Sequence, residues 1–437
     1  MILLFILHCL VCFSFGSECY KIDENNKCVL DGDDPCKGKV VIKSDAPPAI
    51  CMFGFQNNDQ ITSIEYEGKN GLEIRTFGFE SATKLVSVTS YGGIVSLESN
   101  AFKNCHSLVI IDVHKVQNIP ESCFEGCTSL EFVGDLSDIT FFGDGAFLNS
   151  NLRVLTFGNN VQLIGYEAFK NTKIETVILP RDKPKQGFHT SVFEDCKNLK
   201  SVDFGGITEI PDYTFSNCVS LEILIGSEKV TYYGEMSFER TKLSSIKFGN
   251  GVTHIGSKAF SETQLTSVKV PETELMYSVF EKCLKLNTVD FGGNIEMPEG
   301  TFAGCSSLSL VVGTENLKYV GKSAFEDCDK LESLNLYGNI EQLLDSLQSQ
   351  KNLFYHGKRQ PKVLPVTQFK KDLKIFVTDN YLSSKFGNND VLKLHCSSSQ
   401  FVDVEMTPPE CENCEIGKKT LDGDNYYCDL NTKKLSN

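Results

Sequence analysis

The residues able to do chemistry are few and scattered. Seven histidines (His8, His106, His114, His189, His254, His356 and His395) include no H-E-x-x-H and no i, i+4 pair, so no zinc-binding helix face is legible. There is no G-x-S-x-G, no Walker loop and no G-x-G-x-x-G following a strand. Cys411-Glu412-Asn413-Cys414 is a lone C-x-x-C, with no second pair at zinc-ribbon spacing and no βαβ context for a redox dithiol, so a disulfide is the favoured reading. Asp31-Gly32-Asp33-Asp34 and Asp422-Gly423-Asp424-Asn425 lack the twelve-residue calcium register with its closing Glu, and read as solvated turns. No catalytic, cofactor-binding or metal-binding residues are expected, and the chain is read as a non-enzyme. The enzymatic alternative would have to place its site in the C-terminal flank, residues 341–437.

The cysteines that remain carry structural rather than catalytic information. Of eighteen, Cys9 and Cys12 fall in an almost wholly apolar start, residues 1–15, followed by small residues; residues 1–16 read as a signal peptide, too short for a membrane span. Four cluster early (Cys19, Cys28, Cys36, Cys51) and four late (Cys396, Cys411, Cys414, Cys428), as expected of disulfide-braced caps on an exported chain, with pairings left open. A net charge of −15 argues against nucleic acid or an anionic membrane as the main partner, and 41% hydrophobic residues suffice for a core.

What must position any functional surface is a repeat. Phenylalanines recur at 55, 79, 102, 124, 147, 169, 193, 215, 238, 260, 280, 302 and 325, at intervals of 20 to 24 residues. A fixed period in the low twenties predicts a solenoid with one coil per repeat. Three residues after each Phe stands a small residue: Cys105, Cys127, Cys196, Cys218, Cys283, Cys305 and Cys328 in seven coils, Ser, Thr, Ala or Asn elsewhere. Those cysteines are expected to form a buried ladder rather than disulfides or metal ligands, since equivalent side chains point in parallel; Cys123, directly before Phe124, stands outside that ladder and is a candidate partner for Cys127. An aliphatic residue follows, then apolar pairs at alternate positions (Val202 and Phe204, Ile246 and Phe248, Val289 and Phe291), the pattern of a half-buried strand. Gly-rich corners come next. Stacked, the strands should form a parallel sheet along one side. Spacings of 91 residues, as from Phe102 to Phe193, and of 87, as from Phe193 to Phe280, indicate four-coil blocks copied in tandem.

The side chains between the inward pairs must point outward, and they define the candidate ligand face: Ile110, Asp112, Phe132, Val154, Asp203, Ile223, Ile225, Asp290, Leu310 and Val312. Apolar residues on an open face mark a contact surface unless a flanking segment covers them.

With A-F-x-x-C/T, L-x-x-V-x-F/L and G-x-x-V-x-x-I-G-x-x-A-F, best seen at residues 158–172 and 249–263, the chain resembles the BspA-type leucine-rich repeat family. The resemblance covers about residues 52–340 and implies a surface or secreted protein that attaches to host proteins, matrix or other cells. The expected architecture is an α/β solenoid, a leucine-rich repeat array of about 13 coils with a parallel β-sheet on one face. Its parts would be a signal peptide (1–16), a Cys-rich N-terminal cap (17–51), the repeats (52–340) and a C-terminal flank with a Cys-rich cap (341–437). The function expected is recognition or adhesion toward a protein, extracellular-matrix or glycan partner, outside the cell or retained on its surface. No transmembrane span beyond the signal peptide is expected. The alternative is a self-associating coat component.

Overall fold

The computed structural model describes residues 19–394, 400–403, 410–413, 420–421 and 425–426, apart from 24, 26, 348–349, 363, 365–371 and 379–380. The expected signal peptide, Cys396, Cys414, Cys428 and the side chain of Cys411 lie outside the described residues. The chain divides into two compact units, Met1–Gly226 and Ser227–Asn437.

In the first unit most coils contribute two short strands. One set stacks Gly38–Ile42, Ile61–Tyr66, Ser87–Ser90 and Ile110–Ile111 in parallel order, and further on Thr176–Ile178, Ser201–Asp203 and Ile223–Ile225. This is the main sheet. On the returning side a second sheet, unforeseen beyond a single inward Ile or Val per coil, pairs Asn118–Ile119, Phe141–Phe142, Leu163–Ile164 and Gly187–Phe188. The second unit repeats the plan. Ser267–Lys269, Thr288–Asp290 and Leu310–Val312 form one stretch of main sheet, and Ser333–Leu336, Asn352–Tyr355, Lys374–Thr378 and Asn389–Leu394 another. Parallel pairing therefore begins before Phe55 and runs past Phe325.

The phenylalanines form the spine. In the first unit Phe55, Phe79, Phe102, Phe124, Phe147, Phe169, Phe193 and Phe215 stack ring on ring at 5.2–5.6 Å, all fully buried. In the second, Phe238, Phe260, Phe280, Phe302 and Phe325 stack at 5.5–5.9 Å.

The helical part of the expected α/β class reduces, among the described residues, to one 3-10 turn at Ser227–Lys229. The backbone around each Phe explains why. In every one of the thirteen coils the residues two before and two after the Phe have positive φ, from Phe53 and Asn57 through Ser323 and Asp327. No α-helix includes a left-handed residue at that spacing. The segments are instead stacked turns. Phe55 N–H donates to Gly78 O at 2.8 Å, Phe79 N–H to Ala101 O at 2.8 Å and Phe102 N–H to Cys123 O at 2.9 Å. Asn, Gly and Asp, which tolerate left-handed φ best, dominate the position after the ring in the first unit: Asn57, Asn104, Gly126, Asn149, Asn171, Asp195 and Asn217. There Asn171 Nδ2 donates to Asn149 Oδ1 at 2.8 Å, so the strained position also feeds a side-chain ladder.

The cysteines three after the Phe behave as hydrogen-bond donors. Cys105, Cys127, Cys196 and Cys218 in the first unit, and Cys283, Cys305 and Cys328 in the second, each direct Sγ at the preceding coil's Phe carbonyl, at 3.0–3.2 Å. Thr172, Thr241 and Thr263 serve their own coil's Phe carbonyl at 2.9 Å. The shorter corner seen in the sequence thus corresponds to a hydroxyl that reaches back locally, the longer one to a thiol that bridges coils. Burial pushes most of these thiols up, Cys196 to about 11 and Cys328 to about 12, so those stay protonated donors rather than nucleophiles; at Cys283 desolvation is outweighed by hydrogen bonds with Cys305 and Thr263, which hold it below its usual value. Cys123 is a free buried thiol, so the pairing with Cys127 entertained from the sequence does not form.

At the start of the chain Cys19 bonds Cys36 and Cys28 bonds Cys51. The strands Tyr20–Ile22 and Val29–Asp31 pair antiparallel, and Val29 then pairs parallel with Ile50. The two bridges tie this short, poorly cored segment to the first coil.

Candidate recognition face

Alternation along the main strands decides which side chains reach solvent. In the first unit Val177, Val202 and Leu224 occupy one register line, and only Leu224 among them is more than a few per cent exposed. The residues beside them, Thr176, Ser201 and Ile223 on one side and Ile178, Asp203 and Ile225 on the other, stand on the outer face. Ile110, Phe132 and Val154 are 59%, 56% and 55% exposed, more than half of each side chain in water. Ile110 and Phe132 are direct bridge partners, and Val154 is the equivalent residue of the next coil. Ile223 and Ile225 are exposed as expected from the sequence.

Three exposed residues were not foreseen. Val86 and Val109 stand one position before the outward column, where the corner turns them out, and Val109 and Ile110 both donate N–H to Val86 O. Ile178 shares a register line with Asp203 and Ile225. Its signal was the run Val177-Ile178-Leu179, in which alternation forces one apolar residue outward.

The aspartates on this face have work to do within the fold. Asp112 Oδ1 accepts the His114 N–H at 3.1 Å and Oδ2 meets His114 Nδ1 at 2.8 Å; Asp203 Oδ1 accepts Gly205 N–H at 2.9 Å. Desolvation raises the Asp112 carboxyl, and the side-chain and backbone hydrogen bonds from His114 outweigh it, holding it below its usual range. These carboxylates cap the corner leaving the strand. The corner is tight: a Cβ on Gly206 would meet Arg181 O at 1.4 Å.

In the second unit Asp290, Leu310 and Val312 lie on the outer face but are only half-buried rather than open, and Asp290 Oδ1 accepts Gly292 N–H at 3.0 Å. Ile246 and Phe248, expected inward, are half-buried and lie outside any strand.

The continuous main sheet expected from the repeat is interrupted in both units. In the first unit, pairing stops after the single Ile110–Phe132 bridge and resumes at Thr176–Ile178. In the second, residues 245–248 carry no strand before Ser267–Lys269, and Leu310–Val312 and Ser333–Leu336 belong to separate sheets. The two skipped coils, with Val154 and Ser245, are 91 residues apart, and both are the first short-cornered coil of a four-coil block.

Among the described residues no group of three or more His, Cys, Asp or Glu could hold a metal ion, and no helix is long and apolar enough to cross a membrane. Stacked coils, a buried aromatic spine and an open sheet face define a leucine-rich-repeat protein of the β-solenoid kind. The BspA type leucine rich repeat region matches residues 49–175, 162–275 and 272–354, in six copies, and the chain belongs to that family. Among solved structures, a leucine-rich repeat protein from Bacteroides ovatus ATCC 8483 is similar in fold, with a TM-score of 0.60 and 21% identity over 86% of this chain and 97% of that one. A leucine rich cell surface protein from Faecalibacterium prausnitzii A2-165 matches at 19% identity and a TM-score of 0.45, over 69% of this chain and 94% of that one. No curated protein matches the chain.

Proposed function

We propose that this protein is an exported, non-enzymatic recognition or adhesion protein that binds a protein or glycan partner through the open face of its main sheet. The observation that carries this reading is the run Ile110, Phe132 and Val154 in the first unit, each more than half exposed on adjacent coils. An apolar run of that kind has a standing cost in water that a partner removes. Family membership supports a binding role, and the cell-surface description of one structural relative supports the location. The test is adhesion of the full chain to immobilised extracellular-matrix proteins and cell-surface glycans, compared with the triple variant Ile110→Ser, Phe132→Ser, Val154→Ser. Binding should fall while circular dichroism stays unchanged. Unaltered binding by the variant refutes the assignment, and a concentration-dependent dimer lost in the same variant would give the face to self-association instead.

A further inference from the structure

We infer that Asn250–Gly251 is a self-modifying site, at which the second unit turns an asparagine into aspartate and isoaspartate with water as the only co-reactant and places a new negative charge on an exposed corner. Three observations carry it.

The first is local chemistry. The chain has two Asn-Gly pairs, Asn70–Gly71 and Asn250–Gly251. Gly251 has no Cβ to shield its own backbone nitrogen, and its freedom lets the chain turn until that nitrogen reaches Asn250 Cγ. The nitrogen attacks once it has lost its proton. A bond forms from Gly251 N to Asn250 Cγ, the Cγ–Nδ2 bond breaks, and Nδ2 takes up a proton and leaves as ammonia. The product is a succinimide ring, and water then adds at either of its carbonyls. Opening at Cγ restores the normal backbone and leaves Asp. Opening at the main-chain carbonyl leaves isoaspartate, with the chain running through Cγ. Nothing is oxidised or reduced, and by either route a neutral amide becomes a carboxylate.

The second is the freedom of the site. Asn250 and Gly251 are both exposed, and neither makes a hydrogen bond with any described residue. They follow residues 245–248, which carry no strand. A Cβ on Gly251 would meet nothing nearer than Thr231 Cγ2, at 3.5 Å. The N–H that must react is therefore neither engaged nor walled in.

The third is contrast. In the first unit Asn70–Gly71 is the same dipeptide, clamped by the next coil. A Cβ on Gly71 would meet Val95 Cγ1 at 2.0 Å, a Cβ on Gly92 would meet Asn70 O at 2.3 Å, and Leu72 N–H donates to Gly93 O at 2.8 Å. The rotation that the reaction requires would break that packing. The sequence copy 91 residues upstream, Gly158-Asn159-Asn160-Val161, has an asparagine where Gly251 stands, so a side chain crowds the attacking nitrogen.

The experiment incubates the full chain at pH 8 and at pH 6 and follows each asparagine by peptide mass spectrometry, with an isoaspartate-specific methyltransferase to count isoaspartate. Asn250 should convert ahead of Asn70 and Asn159 by about tenfold or more, equivalent to about 1.4 kcal/mol of barrier. Conversion should be faster at pH 8, because the attacking nitrogen must be deprotonated. Anion exchange should show a form one charge more acidic, with circular dichroism unchanged. In urea, which releases the clamp on Gly71, Asn70 should catch up with Asn250 while Asn159 stays behind. Gly251→Asn should slow Asn250 to the rate of Asn159, and Asn250→Gln should abolish the acidic shift. If Gly251→Asn fails to fold by circular dichroism, Gly251→Ala takes its place, since the added methyl has room beside Thr231. Equal rates at Asn70 and Asn250 in the folded chain, an Asn250 that stays an amide throughout, or undiminished conversion once Gly251 is replaced overturns the inference.

Discussion

Phe193→Ala tests the physical basis of the solenoid most directly. The ring is fully buried between Phe169 and Phe215, at 5.5 and 5.6 Å, with interplanar angles of 10° and 2°. Truncating a buried Phe to Ala costs about 3–5 kcal/mol when the surroundings cannot collapse. Here they are held apart by ladder bonds from Phe169 N–H to Val192 O and from Phe193 N–H to Thr214 O, both 3.0 Å. Phe193→Leu keeps most of the apolar bulk and loses two ring contacts, each worth about 0.5–1.5 kcal/mol, so it should cost about 1–3 kcal/mol. Phe132→Ala, on the solvent face, should stay within about 0.5 kcal/mol. Urea unfolding gives the totals, and native-state hydrogen exchange gives their location. Because a solenoid coil touches only its neighbours, the amides of Phe169 and Phe193 should lose about a hundredfold in protection, or more, while the Phe55 amide, bonded to Gly78 O, keeps its own. Equal costs for Phe193→Ala and Phe132→Ala, or equal loss of protection at Phe55, would refute the stacked-spine account.

The eight buried free thiols among the described residues should resist alkylation in the native protein at pH 8, because burial closes them to the reagent, and react once urea unfolds it; prompt labelling of Cys105 or Cys218 without denaturant would contradict their placement. Cys127→Ala should cost about 1–2 kcal/mol, as a small void and a lost bond to Phe102 O, whereas Cys127→Ser should recover part of it. Replacing Cys28 and Cys51 by Ala should lower stability by about 2–4 kcal/mol, read as a shift of the urea midpoint in the coils next to the N-terminal segment. His356, half-buried against Tyr337 at 4.3 Å, has its pKa lowered to about 4 by desolvation. A depressed histidine holds its stability above the unfolded value of about 6.5 and loses it as the pH falls toward 4, because the unfolded state takes up the proton first. At 1.36 kcal/mol per unit, trimmed for partial exposure, that is about 2–3 kcal/mol, and His356→Phe should remove that part of the acid sensitivity in urea titrations at pH 7 and pH 4.5.

Periodicity alone determined a good deal. Phenylalanines one coil apart, a small residue three places later and an alternating apolar pair fix a stack of coils, because no other arrangement buries every ring at once. The same spacing placed Ile110, Phe132 and Val154 on the outer face, since a strand has only two sides. The two loop geometries at the corner were legible as a one-residue shift between Cys- and Thr-bearing coils. Other features depend on contacts between coils, which no local pattern encodes. That each thiol reaches the preceding coil's carbonyl follows from the offset between stacked turns. That the turns are left-handed on both sides of every ring, and so cannot become helices, is imposed even on Met236, Arg240 and Lys258, whose side chains give no hint of it. The breaks in the main sheet are likewise a property of neighbours, because a ladder needs the N–H and C=O groups of two coils in step. The short-cornered coils of Thr172 and Thr263 pair with the longer coils that follow them, Thr176 with Ser201 and Ser267 with Thr288, so corner length within a coil does not decide whether it joins the sheet.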